Sequence, residues 1–276
     1  MSDGMLLGLG HGFAALYGLV LGSFWNVAIA RLPFGQSLWP RSRCPSCRTG
    51  IAAHDNVPVL SWLVLRGRCR HCDSPISAAY PLTELLGGLL GVLLFRVLVP
   101  SVHELDAAHL AAWAVYFVFF TLLVIGSYVD LRYKILPDEV TSYAIPLGIA
   151  GVAVLQYLGF EGFPSTTLRL AVSGCALWGL AFGALAWLGQ LWQEQEVLGW
   201  GDVKLVAMMG AFLGPLHTFV AVMWGSILGS MVGIAVLLTL RRRVPYAFGP
   251  PLAVGAIGYV LFGKAFVDTM VPMWGL

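Results

Sequence analysis

Leu110-Ala111-Ala112-Trp113-Ala114-Val115-Tyr116-Phe117-Val118-Phe119-Phe120-Thr121-Leu122-Leu123-Val124-Ile125-Gly126-Ser127-Tyr128-Val129 carries no charge, and the next residue is Asp130. A bilayer core needs ~20 apolar residues per helix, so the stretch reads as one membrane crossing closed by a carboxylate at its edge. Asp202, in Gly199-Trp200-Gly201-Asp202, stands at the opening of a later apolar stretch. Lone carboxylates are expensive in lipid, and a matched pair asks for an explanation in chemistry.

The rest of the chain repeats the first pattern. Of 276 residues, 58% are hydrophobic and only 11% charged, with a mean hydropathy of +0.81, which excludes a soluble globular domain. The expected fold is an all-α polytopic membrane protein of about eight transmembrane helices with a small cytoplasmic zinc-binding module. The crossings run roughly Leu6–Ile29, Pro81–Val99, Leu110–Val129, Thr141–Leu158, Leu168–Leu191, Val203–Leu213 with a continuation to His217, Phe219–Leu240 and Leu252–Pro272. The sixth is short. The first lacks a basic residue before it and is too long for a removable signal core, so it reads as a retained helix.

Basic residues in short loops stay on the cytoplasmic side. With the N-terminus outside, the inner segments hold Arg31, Arg41, Arg43, Arg48, Arg66, Arg68, Arg70, Arg132, Lys134, Lys204 and Arg241 to Arg243, which is 13 of the 16 basic residues. The opposite orientation would place nearly all of them wrongly. Asp130 and Asp202 are then both expected at the cytoplasmic boundary. The same count divides the chain into a first transmembrane helix (1–30), a cytoplasmic loop domain (31–80) and a membrane domain (81–276). No internal repeat is evident.

The loop carries Cys44-Pro45-Ser46-Cys47 and Cys69-Arg70-His71-Cys72. Two Cys-x-x-Cys pairs can complete a tetrahedron around zinc, and four thiolates with no open position suit a structural ion. The alternative is two disulfides, which a cytoplasmic loop disfavours. A segment of this size buries little core, so a metal would supply folding energy. His71 is a weaker ligand candidate, and Cys175 reads as a small buried hydrophobe.

An aspartyl hydrolase needs two carboxyls beside one water, one ionised as base and one protonated as acid. Asp130 and Asp202 are the candidates. Asp202 alone is also explained as a helix-start anion, whereas Asp130 ends a helix, where an anion is disfavoured. Asp138 reads as a cap. Lys264 and Asp268, four apart, can pair across a turn.

These residues resemble the bifunctional type IV prepilin leader peptidases and N-methyltransferases of bacteria. The resemblance runs from Gly22-Ser23-Phe24-Trp25-Asn26-Val27 with Arg31-Leu32-Pro33, through both Cys pairs, Asp55-Asn56-Val57-Pro58-Val59-Leu60-Ser61-Trp62, Arg66-Gly67-Arg68 and Tyr80-Pro81-Leu82-Thr83-Glu84-Leu85. It continues with Asp130, Leu136-Pro137-Asp138 and Thr141, and Gly199-Trp200-Gly201-Asp202-Val203-Lys204-Leu205, whose Gly-x-Gly-Asp core is shared with presenilin-like intramembrane proteases. Phe248-Gly249-Pro250 is similar to a C-terminal family motif, with Ala247 where a proline is usual, a departure expected to affect only local backbone stiffness.

The resemblance implies an aspartic endopeptidase in the bacterial inner membrane. Its substrates would be prepilins or pseudopilins of type IV pili or type II secretion, with a basic leader and an apolar N-terminal helix. It implies catalysis by Asp130 and Asp202, with Gly199, Gly201 and Lys204 binding substrate. It also implies methylation of the new α-amine by S-adenosylmethionine, for which Asn56, Arg68, Tyr80 and Glu84 are the cofactor-site candidates and Glu84 would meet the amine. Beyond substrate the implied partner is membrane lipid, with no nucleic acid. A proton or cation transporter would explain intramembrane carboxylates but not a zinc module or two acids at one depth. An unrelated presenilin-like protease would not account for the N-terminal half.

Overall fold

In the computed structural model, Asp3–Arg31 forms a first helix, α1, that packs antiparallel against Ala79–Leu98, designated α3. Small residues set their separation. A Cβ at Gly22 would fall 2.7 Å from the Glu84 Cα, one at Gly91 would fall 2.6 Å from the Ala14 carbonyl, and Gly18 lies backbone to backbone on Gly87. Apolar helices without Cβ atoms between them approach closely enough for van der Waals packing, the main attraction available in lipid. The structure describes residues 2–39, 41–164, 166–192, 198–240 and 247–273. Arg241 to Arg243, counted above on the inner side, lie outside them.

Between α1 and α3 the loop is held by local turns: 3-10 segments at Leu32–Phe34 and Ala53–Asn56, and a short helix α2, Leu60–Val64. This part belongs to one compact unit, Met1–Glu104; Leu105–Leu276 forms the second.

The second unit contains α4 (Ala107–Tyr133), α5 (Ala144–Tyr157), α6 (Leu168–Trp192), α7 (Trp200–Leu240) and α8 (Gly249–Met273). Asp106 caps α4 by accepting the His109 N–H at 2.9 Å. Inside, Phe119 stacks on Phe212 at 4.8 Å and the Tyr116 hydroxyl donates to the Pro164 carbonyl at 2.6 Å, so a buried aromatic core still has its polar tip satisfied.

Among the described residues seven helices are long and apolar enough to cross a membrane, and α7 among them is broken. Gly214 has φ 75° and ψ −179°, available only without a Cβ, and Pro215 follows with no N–H to continue the ladder. Before the break, Gly210 lies on Gly174 and Ala207 on Gly179 of α6. After it the chain turns back. His217 reaches Tyr259 of α8, whereas Gly229 meets Phe248 and Pro251, at the α8 start that contacts Asp130. The two limbs are therefore the expected sixth and seventh stretches, which makes eight apolar segments in all. Among the described residues there is no β-strand beyond isolated bridges.

Candidate active sites and metal centre

Asp130 lies in the last turn of α4, 7% exposed, and Asp202 is the third residue of α7. The fold brings them close enough for the charge of one to act on the other. Leu136 helps set that approach: it fills the space beside Gly126 of α4 and lies 3.0 Å from where a Cβ on Gly201 would stand. Asp130 Oδ2 accepts the Gly249 N–H at 3.0 Å, from the first residue of α8.

Gly249 was not singled out as part of this site. The motif that Ala247 belongs to supplies, through Gly249, a direct donor to Asp130. A Cβ at Gly249 would sit 2.7 Å from Oδ2, so the residue must be glycine for this contact to exist. Gly199 lies near Asp202 Oδ2, 3.6 Å from its own Cβ position. Lys204 Nζ donates to Asp138 Oδ1 at 2.7 Å, and Ser142 Oγ donates to the same oxygen at 2.9 Å. Asp138 thus ties the α4–α5 connection to α7 and makes no capping hydrogen bond, because the cap position falls on Pro137. Lys264 and Asp268 form no ion pair; both side chains are exposed, where such a pair gains little.

All five cysteines are free thiols, and in the loop the Sγ atoms of Cys44, Cys47, Cys69 and Cys72 lie within 4.8 Å of one another. Four sulfurs at 2.3 Å from zinc stand about 3.8 Å apart, and Cys44 Sγ lies 3.8 Å from Cys72 Sγ. The donor set therefore fits zinc without rearrangement of the chain. His71 is not in the cluster. Hydrogen bonds from the Cys47 backbone N–H and then the Ser74 hydroxyl pull the Cys44 thiol down to about 6, toward the thiolate a metal needs.

The knuckles are built alike. The Cys44 N–H donates to Thr49 O and the Cys69 N–H to Ser74 O; the Arg48 N–H donates to Cys44 O and the Asp73 N–H to Cys69 O; Arg48 and Asp73 both have positive φ, 59° and 55°. A backbone repeat is present where the sequence shows none, because hydrogen bonding fixes the turn whatever the side chains are.

The candidate cofactor residues are less gathered. Glu84 is 8% exposed and its Oε2 accepts the Val59 N–H at 2.7 Å. Four residues earlier on α3, the Tyr80 carbonyl accepts from Asn26 Nδ2, and Asn26 Oδ1 accepts from the Thr83 hydroxyl at 2.7 Å. Asn26 thus anchors the Tyr80–Glu84 turn to α1. Asn56 is exposed. Arg68 lines an open concavity of about 500 Å³ with Arg66, Arg70 and Cys69, among whose lining residues neither Tyr80 nor Glu84 appears.

Known proteins resemble both parts of the chain. Residues 16–98 match the Bacterial Peptidase A24 N-terminal domain, and residues 117–234 the Type IV leader peptidase family. A prepilin leader peptidase/N-methyltransferase of Aeromonas hydrophila is 36% identical over 95% of this chain and 96% of its own length. One from Burkholderia pseudomallei strain K96243 is 35% identical over 94% and 87%. One from Myxococcus xanthus is 41% identical over 84% of this chain, a match that covers 65% of that protein. No solved structure matches. Two adjoining family domains and relatives aligned nearly end to end place the chain in the prepilin leader peptidase/N-methyltransferase family.

Proposed function

We propose that the protein cleaves the basic leader from prepilins or pseudopilins at the cytoplasmic face of the inner membrane and then methylates the new N-terminus. What supports the peptidase half is that Asp130 and Asp202, 72 residues apart in the chain, lie close enough for the charge of one to act on the other, with a helix-start N–H fixed on Asp130. One carboxylate takes a proton from water as the oxygen attacks the scissile carbonyl. The other, protonated, donates to the carbonyl oxygen and later to the leaving amine. The Gly249 N–H leaves Asp130 Oδ1 as the oxygen free to face the water. Gly199 and Gly201 would pass an extended strand, and Lys204, held by Asp138, would set the electrostatic field at the start of α7.

The second half falls to the N-terminal unit. S-adenosylmethionine, when bound, would supply an electrophilic methyl group to the α-amine, which would arrive as an ammonium and be left neutral once Glu84 had accepted its proton. Glu84 would hold the amine, and Asn56, Arg68 and Tyr80 would contact the donor. Zinc on Cys44, Cys47, Cys69 and Cys72 would fix the loop, with no role in bond making.

The test is cleavage of a purified prepilin in detergent by Asp130→Asn and Asp202→Asn. Loss of cleavage in each, with zinc content unchanged, supports the dyad; cleavage by both variants at the parent rate removes it.

A further inference from the structure

Val59 is β-branched, yet its φ is 62° and ψ −50°. The Leu60 N–H donates to the Pro58 carbonyl at 2.6 Å, which makes Pro58–Leu60 a γ-turn of positive φ, a strained form that is rare even for glycine. The N–H that Val59 thereby turns outward is the one that meets Glu84 Oε2 at 2.7 Å. A strained residue persists only where its surroundings hold it. Here the holder is a nearly buried carboxylate that forms no ion pair among the described residues. Buried carboxylates are normally matched by a cation.

We propose that the Val57–Leu60 turn is a removable cap on a cation site, and that an ammonium group displaces the Val59 N–H from Glu84. This rests on the reading of Glu84 as the carboxylate that meets the freed α-amine, and adds how the site is kept closed until that amine arrives. The geometry confines the motion. Ser61 Oγ donates to His54 O and accepts the Val57 N–H, and Asp55 is clasped by Arg70 with contacts of 2.6–3.0 Å, so both shoulders of the turn stay anchored. Val57 is 42% and Leu60 61% exposed, so both ends of the turn already face outward. On the other side Glu84 cannot retreat, because its backbone lies against Gly22 of α1. When the ammonium takes the carboxylate, Val59 relaxes to ordinary backbone and part of the binding is driven by released strain.

The experiment uses the zinc-loaded full chain in detergent with a synthetic peptide that has a free N-terminal phenylalanine followed by apolar residues, so that no cleavage is needed. Without methyl donor, this peptide should speed amide hydrogen exchange within residues 57–61 at least fivefold, and its N-acetylated form should not. With donor, Val59→Gly, which keeps the turn without strain, should raise the peptide KM about fivefold or more at unchanged kcat. Glu84→Gln should raise the KM more than tenfold and abolish the exchange response, with zinc content and prepilin cleavage intact as proof of folding. Unchanged exchange with the free peptide, or an unchanged KM in Val59→Gly, overturns the cap even if Glu84→Gln behaves as expected. A parent-like KM in Glu84→Gln overturns the amine reading beneath it.

Discussion

Glu84 and Asp130 are both nearly buried carboxylates, and each accepts one backbone N–H, at 2.7 and 3.0 Å. The donors differ in kind. Gly249 is the first residue of a helix, wedged so tightly that its missing Cβ would collide with the carboxylate it serves. Val59 sits in a strained turn beside the exposed Leu60. A donor built into a helix end holds an acid in one orientation through a cycle of proton transfers. A donor under strain suits a carboxylate whose partner changes. Under the proposed function the same hydrogen bond would do opposite work according to the stiffness of the backbone behind it.

The comparison breaks first if the acids are not the machinery. Asp130→Asn and Asp202→Asn should each lower leader cleavage at least about a hundredfold, the scale of acid–base catalysis, measured by loss of the leader on gels. Gly249→Ala tests the stiff donor directly. Its Cβ must push aside the Asp130 carboxyl, and cleavage should fall between about tenfold and a hundredfold, while methylation of a pre-cleaved peptide stays at the parent rate. If cleavage is unaffected, the wedge is not functional.

Cys69→Ser should take metal analysis from one zinc per chain to none and reduce methylation severalfold with cleavage largely retained; full zinc content would count against ligation by four cysteines. Lys204→Ala opens a half-exposed ion pair worth at most about 1 kcal/mol, so Tm should drop by no more than about 4 °C. The smallest effect belongs to Asp55. Hydrogen bonding to Arg70, with its positive charge, holds that carboxyl below its usual range. A lowered value means the clasp is complete above about pH 4 and is lost only as the pH falls through the lowered value. Exchange protection at residues 54–61, corrected for intrinsic rate, should therefore be flat from pH 5 to 8.

Much of this was legible before any coordinates. Apolar length located the crossings, and the short stretch ending at Leu213 is a real limb, because Gly214-Pro215 announces a break in local terms. The cysteine spacing gave both knuckles, since a tight turn needs only neighbours. Gly249 on Asp130 and Lys204 on Asp138 were not legible: the contacts join residues 119 and 66 positions apart, and nothing in the periodicity of either helix records its partner. Val59 was hidden for another reason. Every propensity rule assigns a β-branched residue negative φ, so its conformation is set by Glu84, 25 positions away, against its own preference.

The limb of α7 that begins at Trp200 ends at Gly214. Fourteen helical residues reach about 21 Å, well short of the roughly 30 Å of hydrocarbon in a typical bilayer. Near its blunt end the hydroxyls of Thr166 and Thr218 are enclosed without partners, and the Thr166 hydroxyl lies against Gly214. Val203, Leu205 to Met209 and Ala211 to Leu213 are nearly all buried, so the short limb ends against protein rather than lipid. A helix can stop part-way through a membrane protein in this manner because neighbouring helices, and not hydrocarbon, surround the backbone groups the break sets free.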